Sequence, residues 1–405
     1  MSVASDAPAR ATERKLTPNI LVVLAGLAAL GALSTNIILP SFPSMSAALQ
    51  VQPRELGVTL SAFFIAFALG QLVVGPLSDR IGRRPLVLAG LLLFGAGTIL
   101  CGTAATLDVM IAGRVVQALG VCAASVLSRA VARDLFDGEA LARALALTMV
   151  AMAAAPGFSP LLGSMIDQVF GWRATFAFVG AAAVALAFGY AVTLGETHPE
   201  DRRAAHSVGA ICRAYIALAR ESRFILPASA VSLVIGGLYA FFAAAPLILL
   251  TGFGLTAIQL GLFFAATVFV VFGAGVAAPR LAHRWGALRT ALLGTFVALL
   301  GGGLLVVTSP APELWTFSSA TVLFLLGMGT LNPLGTALSL QPFAERAGLA
   351  SALLGFLQMT CAALGAALAT DLRADPVAAL GLTLSGGALL AFSLLLVRSR
   401  RSARP

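Results

Sequence analysis

Charge is what this chain has least of. Of its 405 residues only 11% are Asp, Glu, Lys or Arg, against about 25% in an ordinary soluble domain. Lys15 is the one lysine among 26 basic residues. Histidine is scarce too: His198, His206 and His283 all fall in polar connections, which leaves no histidine for a proton relay inside an apolar segment. The four cysteines, Cys101, Cys122, Cys212 and Cys361, have neither CxxC nor metal-ligand spacing, so no metal and no cofactor is expected. No glycine-rich loop of the Walker type is present, which excludes ATP as the driving force. No cluster of nucleophile, acid and base appears, which argues against an enzyme.

What the chain has in excess is apolar surface, at 59% of residues and a mean hydropathy of +0.96. A soluble globule could not hide so much. A membrane barrel would alternate in short segments, whereas this sequence runs in long continuous apolar stretches. The first, near 20–39, is longer than the core of a cleaved signal peptide and is expected to stay as a span. Eleven more follow, near 57–76, 86–104, 107–129, 142–166, 173–194, 224–250, 257–278, 290–308, 314–338, 349–370 and 377–397. The fold class is therefore all-α membrane, with twelve transmembrane helices.

The basic residues fix the expected orientation. With the N-terminus inside, 22 of the 26 fall on the inner side, three in outer loops, and Arg114 lies within the fourth span. That asymmetry puts both termini in the cytoplasm and explains the net charge of +9 without nucleic acid. The longest connection, 195–223, splits the spans six and six. The chain then reads as a tail (1–17), a six-helix half (18–194), a linker (195–223), a second half (224–397) and a tail (398–405). Within the linker, Val208–Ala219 reads either as an amphipathic surface helix or as a solvated loop.

An internal repeat supports the two halves. GPLSDRIGRRP, Gly75 to Pro85, follows the second span; APRLAHRWGALR, Ala278 to Arg289, follows the eighth. An offset of 204 residues aligns Arg80 with Arg284 and Gly82 with Gly286, and sets Asp79 opposite His283. Two pseudo-symmetric bundles about an axis along the membrane normal would hold a small-molecule substrate near mid-membrane, between them.

Four strings carry mechanism. In the first loop Gly82 permits positive φ, and Asp79, at a helix C-terminus where a carboxylate is disfavoured, needs a cationic or helix-N-terminal partner; Arg80, Arg83 and Arg84 lie alongside. In GRVVQALG, Gly113 to Gly120, Arg114 is the single charge well inside a span, with Gln117 one turn on. In APGFSPLLGS, Ala155 to Ser164, Pro156 and Pro160 interrupt helix hydrogen bonding while Gly157 and Gly163 admit a close neighbour. In STNIILPSFP, Ser34 to Pro43, Asn36 is a polar amide at a depth where it needs a partner.

Together these resemble the major facilitator superfamily: its gating loop, its RxxQG string (with Ala118 after Gln117) and, partially, its antiporter motif. The ending of the first span, ARDLFDGEALARALA (Ala132 to Ala146) and GWRATFAFVG (Gly171 to Gly180) resemble the Bcr/CflA and chloramphenicol-exporter branch. The resemblance implies a monomeric inner-membrane exporter of amphipathic or lipophilic small molecules, working by alternating access and proton antiport. It also implies gating by the first loop, proton transfer near Arg114, and a leak-limiting fifth span. Asn36 stands where that branch usually has an acid, and asparagine does not titrate. No carboxylate is expected at mid-membrane; the nearest acids, Asp108 and Asp134, sit at opposite ends of the fourth span. A facilitator or secondary transporter of a metabolite, without a conventional proton site, is the alternative. Asn36, Phe64, Gln117, Tyr239, Phe242, Asn332 and Gln358 are the expected cavity residues, mostly apolar with few polar anchors.

Overall fold

The computed structural model describes residues 16–203, 207–371 and 375–402, and among them every regular element is helical. Most of the leading tail, His206, Arg373 and the last three residues lie outside this set. The helices are α1 (Pro18–Asn36), α2 (Phe42–Leu49), α3 (Gly57–Ile81), α4 (Arg83–Gly102), α5 (Leu107–Leu135), α6 (Gly138–Phe170), α7 (Trp172–Thr193), α8 (Val208–Arg220), α9 (Ser222–Pro246), α10 (Ala257–Trp285), α11 (Ala287–Thr308), α12 (Leu314–Leu340), α13 (Ala347–Asp371) and α14 (Pro376–Ser402). A π-helical turn, Leu247–Gly252, extends α9. All but the short α2 and α8 are apolar and long enough to cross a bilayer; α12 and α13 are separated by the 3-10 turn Gln341–Arg346. The twelve expected spans are present.

Their ends differ from the apolar runs. The fourth span was expected to stop at 129, yet α5 continues to Leu135, and α6 begins at Gly138 rather than near 142. Apolar pattern marks where lipid solvates a helix; backbone hydrogen bonding carries the helix on past that zone. Arg129 and Arg133 are therefore helical residues and not loop residues. The linker segment resolves as a helix, α8, capped by Ser207, whose hydroxyl accepts from the Ala210 N–H at 3.3 Å. Leu218 is buried while Arg213 and Arg220 face outward.

Packing repeats between the halves. In the first, α4 packs on α5 and α7, α1 on α6, and α3 on α5; in the second, α11 packs on α12 and α14, α9 on α13, and α10 on α12. The halves meet through two equivalent pairs, α3 with α13 and α6 with α10. The repeated loops share a backbone as well. Gly82 has φ 98 and ψ 164, Gly286 has φ 86 and ψ 147, and each ends one helix and starts the next. Each donates its N–H four residues back, to Ser78 at 2.9 Å and Ala282 at 2.8 Å. Only glycine holds such a φ without strain. Side chains such as Leu92 at 74%, Phe170 at 75% and Val307 at 76% exposure would be aggregation sites in water; they suit a lipid-facing surface.

Candidate functional site

At one end of the first half, charges converge on the α3–α4 turn. Arg83 donates from Nη1 to Asp79 Oδ1 at 2.6 Å and from Nε to Asp134 Oδ2 at 3.1 Å, and also bonds the Ser78 hydroxyl. Asp79 thus has its cationic partner one turn on. Asp134 accepts a second bond from Thr197 Oγ1 at 3.1 Å, which ties in the chain beyond α7. Arg80 and Arg84 are exposed. A side chain at Gly75 would meet open space, so sterics give no reason for glycine there.

Glu196 completes the arrangement, and nothing in the sequence pointed to it. Its carboxylate accepts from the backbone N–H groups of Arg83 at 2.8 Å and Arg84 at 3.2 Å, the unpaired first turn of α4. A Cβ at Gly82 would overlap this carboxylate. Burial would raise the Glu196 carboxyl, but donation from His198, Arg83, Arg84 and Thr197 outweighs it and holds the group below the usual carboxylate range. A depressed folded value means that the stabilisation is complete above an ordinary glutamate pKa of about 4.3 and is lost as pH falls through the lowered value. Purified wild type should therefore lose thermal stability on acidification across that window. Glu196→Gln should start less stable and lose less, as read by melting temperature against pH.

A second polar cluster lies deeper. Arg114 is fully buried. Its Nη1 donates to the Ser34 carbonyl at 3.1 Å and to Gln117 Oε1 at 2.6 Å, and its guanidinium carbon lies 4.4 Å from the Phe63 ring centroid. Ser34 is in the last turn of α1, where carbonyls lack intrahelical donors and a cation suits the dipole. Gln117 Nε2 passes the chain on to Thr98 Oγ1 at 2.9 Å. Arg114 Nε and Nη2 have no hydrogen-bond partner. Asn36 donates to Ala32 O at 2.8 Å within its own helix, and its Oδ1 is buried without a donor.

Gln117 and Asn36, two expected cavity residues, are both buried: Gln117 is bonded to Arg114 and Thr98 within the first half, and the Asn36 amide to Ala32 of its own helix. Asp108 is exposed in the first turn of α5, where its charge complements the helix dipole, and forms no ion pair with Arg114.

Between the halves, Phe64 of α3 meets Tyr239 of α9 at 4.6 Å between ring centroids, and Tyr239 meets Phe242 at 6.0 Å. Asn332 and Gln358 are half-buried, and neither hydrogen bonds to the protein among the described residues. Toward the ends opposite the α3–α4 turn the halves close. Ser61 Oγ donates across to Ala363 O at 3.2 Å, and the residual space among Phe42, Pro53, Ala243, Leu247 and Thr370 is about 20 Å³. In α6, Gly157 abuts Val268 of α10 across the halves, while Gly163 abuts the Ile37 carbonyl at the end of α1. The helix runs unbroken through Pro156 and Pro160.

Comparison with known proteins agrees with this geometry. The Major Facilitator Superfamily profile matches residues 24–370. Multidrug resistance protein D of Escherichia coli is 28% identical over 376 residues, 92% of this chain and 94% of that one. The bicyclomycin resistance protein homolog of Haemophilus influenzae is 26% identical, covering 95% and 96%, and the chloramphenicol resistance protein of Pseudomonas aeruginosa is 27% identical, covering 77% and 73%. The crystal structure of the human organic anion transporter MFSD10 superposes with a TM-score of 0.69 at 20% identity, covering 94% of this chain and all of that one. A D-xylose-proton symporter gives 0.70 at 16% identity, covering 92% and 96%. With twelve spans in two equivalent halves, the glycine-turned loop between α3 and α4 and a profile match over most of its length, the chain belongs to the Major Facilitator Superfamily, a family of membrane transporters.

Proposed function

We propose that this protein exports amphipathic or lipophilic small molecules from the cytoplasm across the inner membrane, as a monomer, by alternating access coupled to proton antiport. The observation that carries the reading is the contact surface between the halves. Phe64, Tyr239 and Phe242 gather there, and Asn332 and Gln358, of the second half, make no hydrogen bond to the protein among the described residues, which supports a site for mostly apolar ligands. The drug-resistance relatives support the same substrate class. The arginine asymmetry supports cytoplasmic termini.

The six-helix halves, 18–194 and 224–397, move as bodies joined by 195–223. The Arg83 set latches the inner end of the first half. Asp134 is the acid whose protonation would release Arg83 from one of its two ion pairs. Arg114 and Gln117 are assigned to proton transfer or substrate response, and the Pro156–Gly163 stretch to sealing between the halves.

Everted membrane vesicles holding a preset ΔpH test this. Adding an exported compound should dissipate the gradient, and Asp134→Asn should leave it standing while the protein level is kept. If no compound in a broad drug panel moves the gradient, and none is tolerated better by an efflux-deficient host carrying the protein, the export reading fails.

A further inference from the structure

We infer that Arg129 of α5 is an anion-recognition residue, and that the compounds this transporter binds best are amphiphiles carrying one negative charge, such as a carboxylate. The inference rests on the export reading for transport but not for binding.

Arg129 lies six residues before Leu135, the end of α5, or about 9 Å along the helix. It is half-buried, and its side chain makes one hydrogen bond, from Nη1 to the Met152 sulfur at 3.6 Å. A thioether is a weak, neutral acceptor. No ion pair among the described residues includes Arg129. Asp134, the nearest acid along the helix, is taken by Arg83 and Thr197. Its near charged neighbour is Arg133, of the same sign. The remaining Arg129 N–H groups are neither bonded nor sealed from accessible space, in contrast to those of Arg114.

The acids sharpen the point. Among the described residues, each Asp and Glu sits in a connection or within a turn of a helix end. The interior between the helix ends therefore holds no carboxylate to neutralise Arg114 or Arg129, which, unlike Arg143 and Arg280, are not exposed. A cation inside the apolar zone, as Arg114 is, costs several kcal/mol unless paired or hydrated, and Arg129 stands at the edge of that zone. Arg114 is enclosed by neutral acceptors and an aromatic face; Arg129 keeps donors pointing into reachable space.

The surroundings of Arg129 suit an amphiphile. Its partner Met152 is flanked on α6 by Ala151 and Ala155, which with Leu33, Phe158 and Leu162 line a groove of about 340 Å³. Ser159 is the single polar side chain of that lining. Arg129 does not line the groove itself, but its partner Met152 adjoins Ala151, which does, so an apolar body there would let an anionic head extend toward the guanidinium. A cationic amphiphile would meet like charge with no acid to receive it, and a neutral one would gain only the groove. Charge-assisted hydrogen bonds are about twice as strong as neutral ones, so head charge should separate otherwise identical ligands.

Chloramphenicol and its hemisuccinate are such a pair, sharing one apolar body with and without a carboxylate. Binding to the full-length protein in phosphatidylcholine nanodiscs should favour the hemisuccinate by about tenfold or more. Arg129→Gln should abolish the preference and Arg129→Lys should keep most of it. Equal binding by wild type overturns the inference without any variant, and an unchanged preference in Arg129→Gln overturns the assignment to Arg129. Repeating the titration in nanodiscs containing phosphatidylglycerol separates a substrate site from a lipid site. Undiminished hemisuccinate binding supports the inference. Competition by the lipid, with phosphatidylglycerol retained on purified wild type but not on Arg129→Gln by native mass spectrometry, makes Arg129 a headgroup site and overturns it. A protein that exports nothing in the drug panel yet shows the Arg129-dependent preference supports the inference and refutes export alone.

Discussion

Replacing Arg114 by methionine leaves the protein folded in the membrane and removes export. The guanidinium is wholly buried, yet no acid pairs with it; its partners are the Ser34 carbonyl, the Gln117 amide and the Phe63 ring. Exchange of a buried ion for an apolar side chain of similar volume is often neutral or stabilising, by about 1–4 kcal/mol. Against that stand two acceptors left without a donor, the Ser34 carbonyl and Gln117 Oε1, at about 1–3 kcal/mol each. The two effects oppose each other and are of similar size, so the change in thermal stability should be small beside the loss of export. Export has no such compensation, because nothing else carries charge between Thr98 and Ser34. Drug accumulation in an efflux-deficient host should rise to the level of the empty host, with membrane abundance unchanged. Unchanged resistance would remove Arg114 from the mechanism.

The second large effect is expected at the seam between the halves. Gly157→Ala puts a methyl group into Val268 of α10. Overpacking of this kind costs about 1–3 kcal/mol, and here the strain falls on the surface along which the halves must slide, so transport should fail before folding does. The atom in hard overlap is a Val268 side-chain methyl, while the Phe264 carbonyl, at 3.0 Å, must give by only a few tenths of an ångström, so Val268→Ala should restore most export to Gly157→Ala. Gly163 gives the control. A side chain there meets the Ile37 backbone carbonyl, which no side-chain trimming can move, so Gly163→Ala should be refractory to suppression. If Val268→Ala rescues both or neither, this account of the seam is wrong.

How far the sequence reached depended on the range of each cause. Twelve spans, their charge asymmetry and the glycine turns at Gly82 and Gly286 were all legible, because apolar length and positive φ act on a few neighbouring residues. Arg114 was legible as a lone charge in an apolar run. Its partners were not: Ser34 is 80 residues away and Thr98 is 19 from Gln117, and no local pattern encodes such a pairing. Glu196 was missed for the same reason, 113 residues from Arg83. Asn36 and Gln117 were expected at the cavity on polarity alone. Polarity says that a buried amide needs partners; it does not say whether those partners are ligand or helix. Arg129 was read as the inner end of the fourth span because apolar character ends there while the helix does not.

Pro76 has no N–H to offer the Leu72 carbonyl four residues back. The hydroxyl of Tyr215, on α8, donates to that carbonyl at 3.2 Å, while α8 itself packs against α9 and α13. The connector between the halves is therefore more than slack rope between two engines. It supplies a proton donor that a kinked rod cannot supply for itself, so a featureless tether of equal length would reconnect the polypeptide and still leave one backbone oxygen bereft.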